Sequence, residues 1–313
     1  MDGVVIIDKP AGITSHDVVA QVKKILGAKK VGHTGTLDPM ATGVLPVCLN
    51  EATKLARFLT DDSKEYLATM LLGVQTDTLD TEGEITGQSD KVASVEEIRA
   101  ALSRMVGKIM QVPPAYSAIK HCGEPLYKWA RKGIIIETQP REVEIQYIIV
   151  EDISYPRVTF RVACSKGTYI RTLCADVGNA LGCGACLCSL RRLRSGFFSE
   201  DMAIPLTNSL PEEKKGELLA KMLPMTKLLP LLTSIEIEDI FAGRLRDGFQ
   251  PSVETMKAHV LPFLETGDMI KFINRRGYLV AIAEMVTPVS NFSSIDEKSQ
   301  AAKIVRVFNN VQN

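Results

Sequence analysis

No apolar run in this 313-residue sequence approaches the ~20 residues a helix needs to cross a bilayer. The first residues enter at once into Val4-Val5-Ile6-Ile7 behind the acidic Asp2, without the basic lead-in of a signal peptide, so a soluble, cytoplasmic protein is expected. Net charge is also missing. Lys plus Arg and Asp plus Glu number 37 each, so the overall balance points to no polyanionic partner. Neither GxGxxG nor GxxxxGK[ST] occurs, which takes support from nucleotide-cofactor folds, and no cofactor is expected. The seven cysteines are an odd number, and four crowd together as Cys174, Cys183, Cys186 and Cys188, which argues for reduced thiols over a disulfide framework. A metal site there would need a second clustered pair or histidines; only Cys174 and Cys164 lie near, and no metal is expected.

What is present is local. Residues 161–196 carry Arg161, Lys166, Arg171, Arg191, Arg192 and Arg194 against the single acid Asp176, and Lys23, Lys24, Lys29 and Lys30 form a second basic group. Basic segments on a neutral chain can focus a positive field that suits a phosphate backbone, although lysines alone read as solvated faces. Between the two groups lies Gly32 to Val47, GHTGTLDPMATGVLPV, too rich in Gly and Pro for a regular helix or a central strand. It reads as an irregular loop between a helix, about Ser15 to Leu26, and a buried apolar run, Val44 to Leu49. Asp38 is its one group able to act as nucleophile or base, and His33 lies five residues earlier. By itself Asp38-Pro39 is a turn signature.

Along the chain, Gly3 to Asp8 reads as a buried strand, and Thr14 or Ser15 caps a helix that ends at Gly27. Glu51 to Leu59 is helical, Tyr66 to Leu72 a strand, and Asp77 to Asp90 a polar surface hairpin or loop. Ser94 with Glu97 is a capping box that opens a helix to about Met105. Val112 to Lys120 is extended, turning at Gly123 into a short helix from Pro125 to Lys132. Arg141 to Val150 and Val158 to Cys164 are strands, Thr168 to Leu181 a helix, and Leu187 to Leu193 a further strand. Asn208 to Leu229 is helical and then a linker. From about residue 233 a second unit carries three short strands, Gly267 to Ile273, Tyr278 to Ala283 and Lys303 to Phe308, with spacing that suits a small β-barrel. The expected class is α+β, with a mixed, mostly antiparallel sheet and flanking helices.

Four stretches, Asp8-Lys9-Pro10-Ala11-Gly12-Ile13-Thr14-Ser15, GHTGTLDPMATGVLPV, Lys64-Glu65-Tyr66-Leu67-Ala68 and Cys164-Ser165-Lys166-Gly167-Thr168-Tyr169-Ile170-Arg171, resemble in order and spacing the bacterial tRNA pseudouridine-55 synthases of the TruB family. The resemblance runs from about Gly3 to Phe198. It implies a pseudouridine synthase catalytic domain over 1–232, with residues 112–142 as a flexible thumb that closes over RNA, and an RNA-binding PUA-like barrel over 233–313. It also implies action on the T arm of tRNA without guide RNA, and a monomer is expected.

By the same resemblance Asp38 is the catalytic aspartate, Arg171 its partner and Tyr66 the tyrosine that stacks on the target base and can take the C5 proton. His33 stacks where the flipped nucleotide leaves a gap, Tyr169 and Leu190 line the pocket, Lys9 and Lys64 support the loop, and Lys120 contacts RNA. A guanidinium beside a buried carboxylate lowers its pKa, typically by about 1 to 3. The reaction breaks the bond from ribose C1' to N1, turns the uracil and rejoins it through C5, so it needs no redox group and no phosphate energy. Competing readings are a non-catalytic tRNA-binding or tRNA-folding protein and a glycosylase that releases free uracil.

Overall fold

The computed structural model describes residues 1–60, 63–206 and 211–309. Alternating burial organises the main sheet. Its strands are β1 (Gly3–Lys9), β2 (Thr42–Leu49), β3 (Lys64–Leu72), β4 (Gly107–Gln111), β5 (Arg141–Ser154), β6 (Arg157–Cys164) and β7 (Ala185–Ser195), with short edge strands beside them. The path runs from Ile204–Pro205 through β1, β2, β7, β3, β6 and β5 to β4. Only the pairings of β1 with Ile204–Pro205 and of β2 with β7 are parallel on that path, so the sheet is mixed and mostly antiparallel as expected.

Two of the helices that cover one face position the site. In α1 (Ser15–Leu26), Thr14 and Asp17 form a reciprocal capping box and Gly27 closes the helix in the left-handed region at φ 62°. In α2 (Ile170–Leu181) the stripe Leu173, Cys174, Val177 and Leu181 faces inward. Both pack on a core that includes Val5, Ile7, Leu45, Val47, Tyr66, Ala68 and Met70. In β3 every second residue is buried, which puts Tyr66 on the helix-covered face.

The opposite face of β1 and β2, with Val4, Ile6, Val44 and Cys48, shares a second core with Met225, Leu228, Leu279, Ile282 and Phe308. The C-terminal unit is therefore continuous with the main sheet. It is built on β8 (Thr233–Ile237), β9 (Met269–Asn274), β10 (Leu279–Met285) and β11 (Ala302–Val307), paired in that order. That is four strands where three were expected; β8 escaped notice because Thr233–Ile237 alternates in a segment that the preceding linker masks. No pairing among the described residues closes the four into a barrel. Lys271 fastens the unit further, its buried Nζ donating to the carbonyls of Thr226, Leu228 and Leu229. Phe308 is fully buried at this seam. Phe308→Ala is expected to cost about 3–5 kcal/mol, read as a lower urea midpoint.

Two local expectations change. The stretch from Gly32 to Val47 is irregular only in its middle: Val31–His33 and Thr42–Leu49 are paired antiparallel strands that hold residues 34–41 between them. Here β-sheet pairing overrides the Gly and Pro content. The helix expected from Asn208 is described only as Pro211–Ala220; residues 208–210 lie outside the described residues.

Candidate active site

Residues 34–41 are held from below by three anchors. The fully buried Lys9, at the end of β1, donates through Nζ to the carbonyls of Pro10, Pro39 and Ala41 at 2.9, 3.0 and 2.6 Å. Ser15, in the first turn of α1, accepts from Leu37 N at 2.8 Å and donates to Leu37 O at 3.1 Å. Gly12 N donates to Pro39 O at 2.9 Å. Every neighbour of Asp38 is thus fixed through its backbone, which leaves the carboxylate as the group presented. Burial pushes the Lys9 ammonium down to about 8, so these three carbonyls are held by a cation that titrates within reach of neutral pH.

Asp38 meets Arg171 in a fork. Nε lies 2.9 Å from Oδ2, and NH2 donates to Oδ1 at 3.3 Å. Arg171 projects from the first turn of α2 and is 4% exposed, whereas the Asp38 side chain is a third exposed, so the pair is closed behind and open in front. The guanidinium is then saturated by Thr78 O at 2.9 Å, Tyr116 O at 2.7 Å and, at 3.6 Å, the buried carboxylate of Asp80. Asp80 and Thr78 come from the 77–90 segment, which is not a plain surface loop: it forms a hairpin whose turn folds inward, Thr81 N bonding Leu187 O. The sequence carried no pattern marking Asp80, because an isolated Asp between turn residues looks solvated. Tyr116 lies in the 112–142 segment, so that insertion touches the site through its backbone.

The charge balance reverses one expectation. Burial, rather than Arg171, sets the direction at Asp38 and pushes its carboxyl above the ordinary range; Arg171 pulls it down, and the second anion, Asp80, pushes it up again. Arg171 shares its one charge between Asp38 and Asp80, so its pull on Asp38 is divided. As pH falls through this raised value Asp38 is protonated, so an activity that needs the carboxylate has an acid limb above the usual carboxylate range. Asp80→Asn removes the like charge, and the acid limb of a pH–rate profile should move to lower pH.

Tyr66 is 9% exposed on β3 and stands across from Arg192, whose charge acts on its phenol. Arg192 also donates to Val44 O at 2.7 Å and Gly35 O at 3.0 Å; the sequence marked it only as one basic residue among six. His33 is half-buried just before the loop, its Nδ1 accepting from Gly35 N at 3.3 Å, and burial lowers its basicity. Tyr169 precedes α2 and is fixed by Gln111, which bonds its N and O at 2.7 and 3.1 Å. Leu190 is buried on β7 opposite Ala68. The structure therefore brings His33, Asp38, Tyr66, Tyr169 and Arg171 near one another, with Lys9 beneath them. Lys64 Nζ instead donates to Thr60 O at 2.6 Å, anchoring the start of β3. Lys120 stands exposed on a two-residue hairpin with no contact to the Asp38 pair among those described. Of the clustered cysteines, Cys174, Cys183 and Cys186 are buried and Cys188 is partly exposed; all are free, and burial raises Cys186 to about 11.

A mixed sheet that presents a forked Asp–Arg pair and a buried tyrosine fits a pseudouridine synthase. The model of the TruB family pseudouridylate synthase N-terminal domain matches residues 23–170, and that of the tRNA pseudouridylate synthase B C-terminal domain matches residues 171–229. The tRNA pseudouridine synthase B of Syntrophus aciditrophicus is 51% identical over 308 residues, 98% of this chain and 99% of the relative. That of Geobacter sulfurreducens is 41% identical over 310 residues, covering 99% and 100%. Among solved structures, a Cbf5-Nop10-Gar1 complex aligns with TM-score 0.73 at 32% identity, covering 98% of this chain and 85% of that one. An H/ACA RNP bound to a substrate RNA containing 2'-deoxyuridine aligns with TM-score 0.72 at 30% identity, with the same coverage. The chain belongs to the TruB family of pseudouridylate synthases.

Proposed function

We propose that this enzyme isomerises the T-loop uridine of tRNA to pseudouridine, with Asp38 as the reacting carboxylate. The observation that supports it most is the fork of Arg171 on Asp38, which leaves the carboxylate facing the opening while its backbone is fixed on every side. A carboxylate so held divides one hard step into two: an Asp38 oxygen bonds C1' as the C1'–N1 electron pair leaves with N1, and that bond breaks, its pair returning to the carboxylate, as C5 joins C1'. Arg171 keeps the charge on Asp38 against the cost of burial. Tyr66 stacks on the extruded base, Tyr169 and Leu190 line its pocket, and Tyr66 takes the C5 proton. Flipping a base costs a few kcal/mol, and a T loop lowers that cost because its bases are already partly unstacked. His33, at the rim, fills the gap the flipped nucleotide leaves.

In this reading Lys9 and Lys64 are supports, one under the loop and one under the strand of Tyr66. Lys120 and the basic side chains of 112–142 meet phosphates as that segment closes on RNA, and the unit from residue 233 adds RNA contacts in the manner of a PUA domain. The enzyme works in the cytoplasm as a monomer and without guide RNA. Nucleoside analysis of a tRNA transcript after incubation tests the whole: pseudouridine appears at one T-loop position with the chain intact. Free uracil with an abasic site would establish a glycosylase in its place.

A further inference from the structure

Arg192 is 1% exposed, one of the largest fully buried side chains among the described residues. In the β7–β3 register it stands directly across from Tyr66. Its Nε and NH2 donate to Val44 O and Gly35 O, and the Tyr66 phenol is the ionisable group beside it across the strands. Among the described residues no carboxylate forms an ion pair with it. Burying a cation without an anion is costly, and carbonyl dipoles offset that cost only in part. Tying β2 to the 34–41 loop needs donors alone, which a neutral amide would supply. The charge is left over, and the group it faces is a phenol.

We propose that Arg192 is a positioning residue for the C5 proton step: it aims the Tyr66 oxygen into the pocket and balances the negative charge that oxygen carries as a base. This rests on the isomerase reading above. In the rejoined base, C5 bears both C1' and a hydrogen, and C6 is doubly bonded to N1. The phenolate oxygen takes the C5 proton, the C–H electron pair becomes the C5=C6 bond, the N1=C6 pair returns to N1, and N1 takes a proton from water. The phenol then gives its proton to water and the cycle closes without any net gain or loss. Burial opposes ionisation of Tyr66, Cys164 and Asp38 add to that opposition, and Arg192 is the group that favours it. Burial lowers the basicity of His33 and Lys9, and the Arg192 charge adds to it at both.

The test is single-turnover rearrangement of tRNA carrying protium or deuterium at C5 of the target uridine, measured across pH for the wild type, Arg192→Lys and Tyr66→Phe, with tRNA affinity measured alongside. Lysine keeps a charge but cannot fork, so Arg192→Lys should bind tRNA normally. Its C5 step should slow by about 10- to 100-fold, with a larger deuterium effect than the wild type and a rising limb displaced to higher pH. In the Tyr66→Phe background Arg192→Lys should add nothing. Should Arg192→Lys not fold, wild-type protein made with fluorotyrosine, a more acidic phenol, decides by itself: the limb should move to lower pH. An unchanged isotope effect and profile in Arg192→Lys, or an unmoved limb with fluorotyrosine, overturns the proposal while leaving the isomerase in place. Absence of any pseudouridine from the wild type overturns both.

Discussion

Asp38→Asn should release no label from tRNA tritiated at C5 of uridine, with a loss on the order of 10⁴-fold or more, while tRNA affinity stays as in the wild type. The separation of the two readouts follows from the geometry. Asn keeps the volume of Asp, and the backbone of residues 37–41 is held by Lys9 and Ser15, neither of which touches the carboxylate. The loop around residue 38 and the side chains beside it therefore survive the change. What is lost is the ability to form and break a bond. A variant that still released label would make Asp38 a turn residue and send the search for the reacting group elsewhere in the opening.

Arg171→Met is the second large effect, and it should strike stability as well as rate. The guanidinium serves Asp38, Asp80, Thr78 O and Tyr116 O at once. Removing it leaves two carboxylates facing each other and two carbonyls without donors. Breaking a buried pair costs about 3–5 kcal/mol; the low end is expected, because water reaches Asp38 and screens it. Turnover should fall on the order of 10² to 10³-fold, and its acid limb should move to higher pH, since the cation that held Asp38 ionised is gone. Urea unfolding and a pH–rate profile on the same preparation read both. An Arg171→Met protein with an unmoved acid limb would mean that Arg171 supports the fold and leaves the charge of Asp38 alone.

The parts legible in the sequence are those whose information is local. Thr14 with Asp17 before Val18-Val19-Val22, and Ser94 with Glu97, mark helix starts because the cap and the apolar stripe are adjacent in the chain. The alternation of Tyr66, Ala68, Met70 and Leu72 marks β3 and places Tyr66 inward. Asp38, Tyr66 and Arg171 were legible through the motifs that carry them. Asp80 and Arg192 were not. Each acquires its role from a partner far along the chain, Asp80 from Arg171 and Arg192 from Tyr66, and neither sits in a pattern of its own. The direction of the Asp38 shift failed for the same reason: a pair predicts a lowered carboxyl, and only the third charge and the depth of the site reverse it. The barrel is a different case, because strand spacing says how many segments can pair but not whether the last returns to the first.

The seam between the C-terminal unit and the main sheet bears on how the chain is made. Val4 and Ile6 emerge from the ribosome more than 270 residues before Leu279, Ile282 and Phe308, which cover their face of the sheet. At about 5–20 residues per second, the interval lasts on the order of tens of seconds. During it β1 and β2 can pair and α1 can dock on the other face, while the part of the β1–β2 strip that the C-terminal unit covers stays wet. A nascent chain arrested before residue 279 should therefore be a substrate for chaperones that a chain released in full is not.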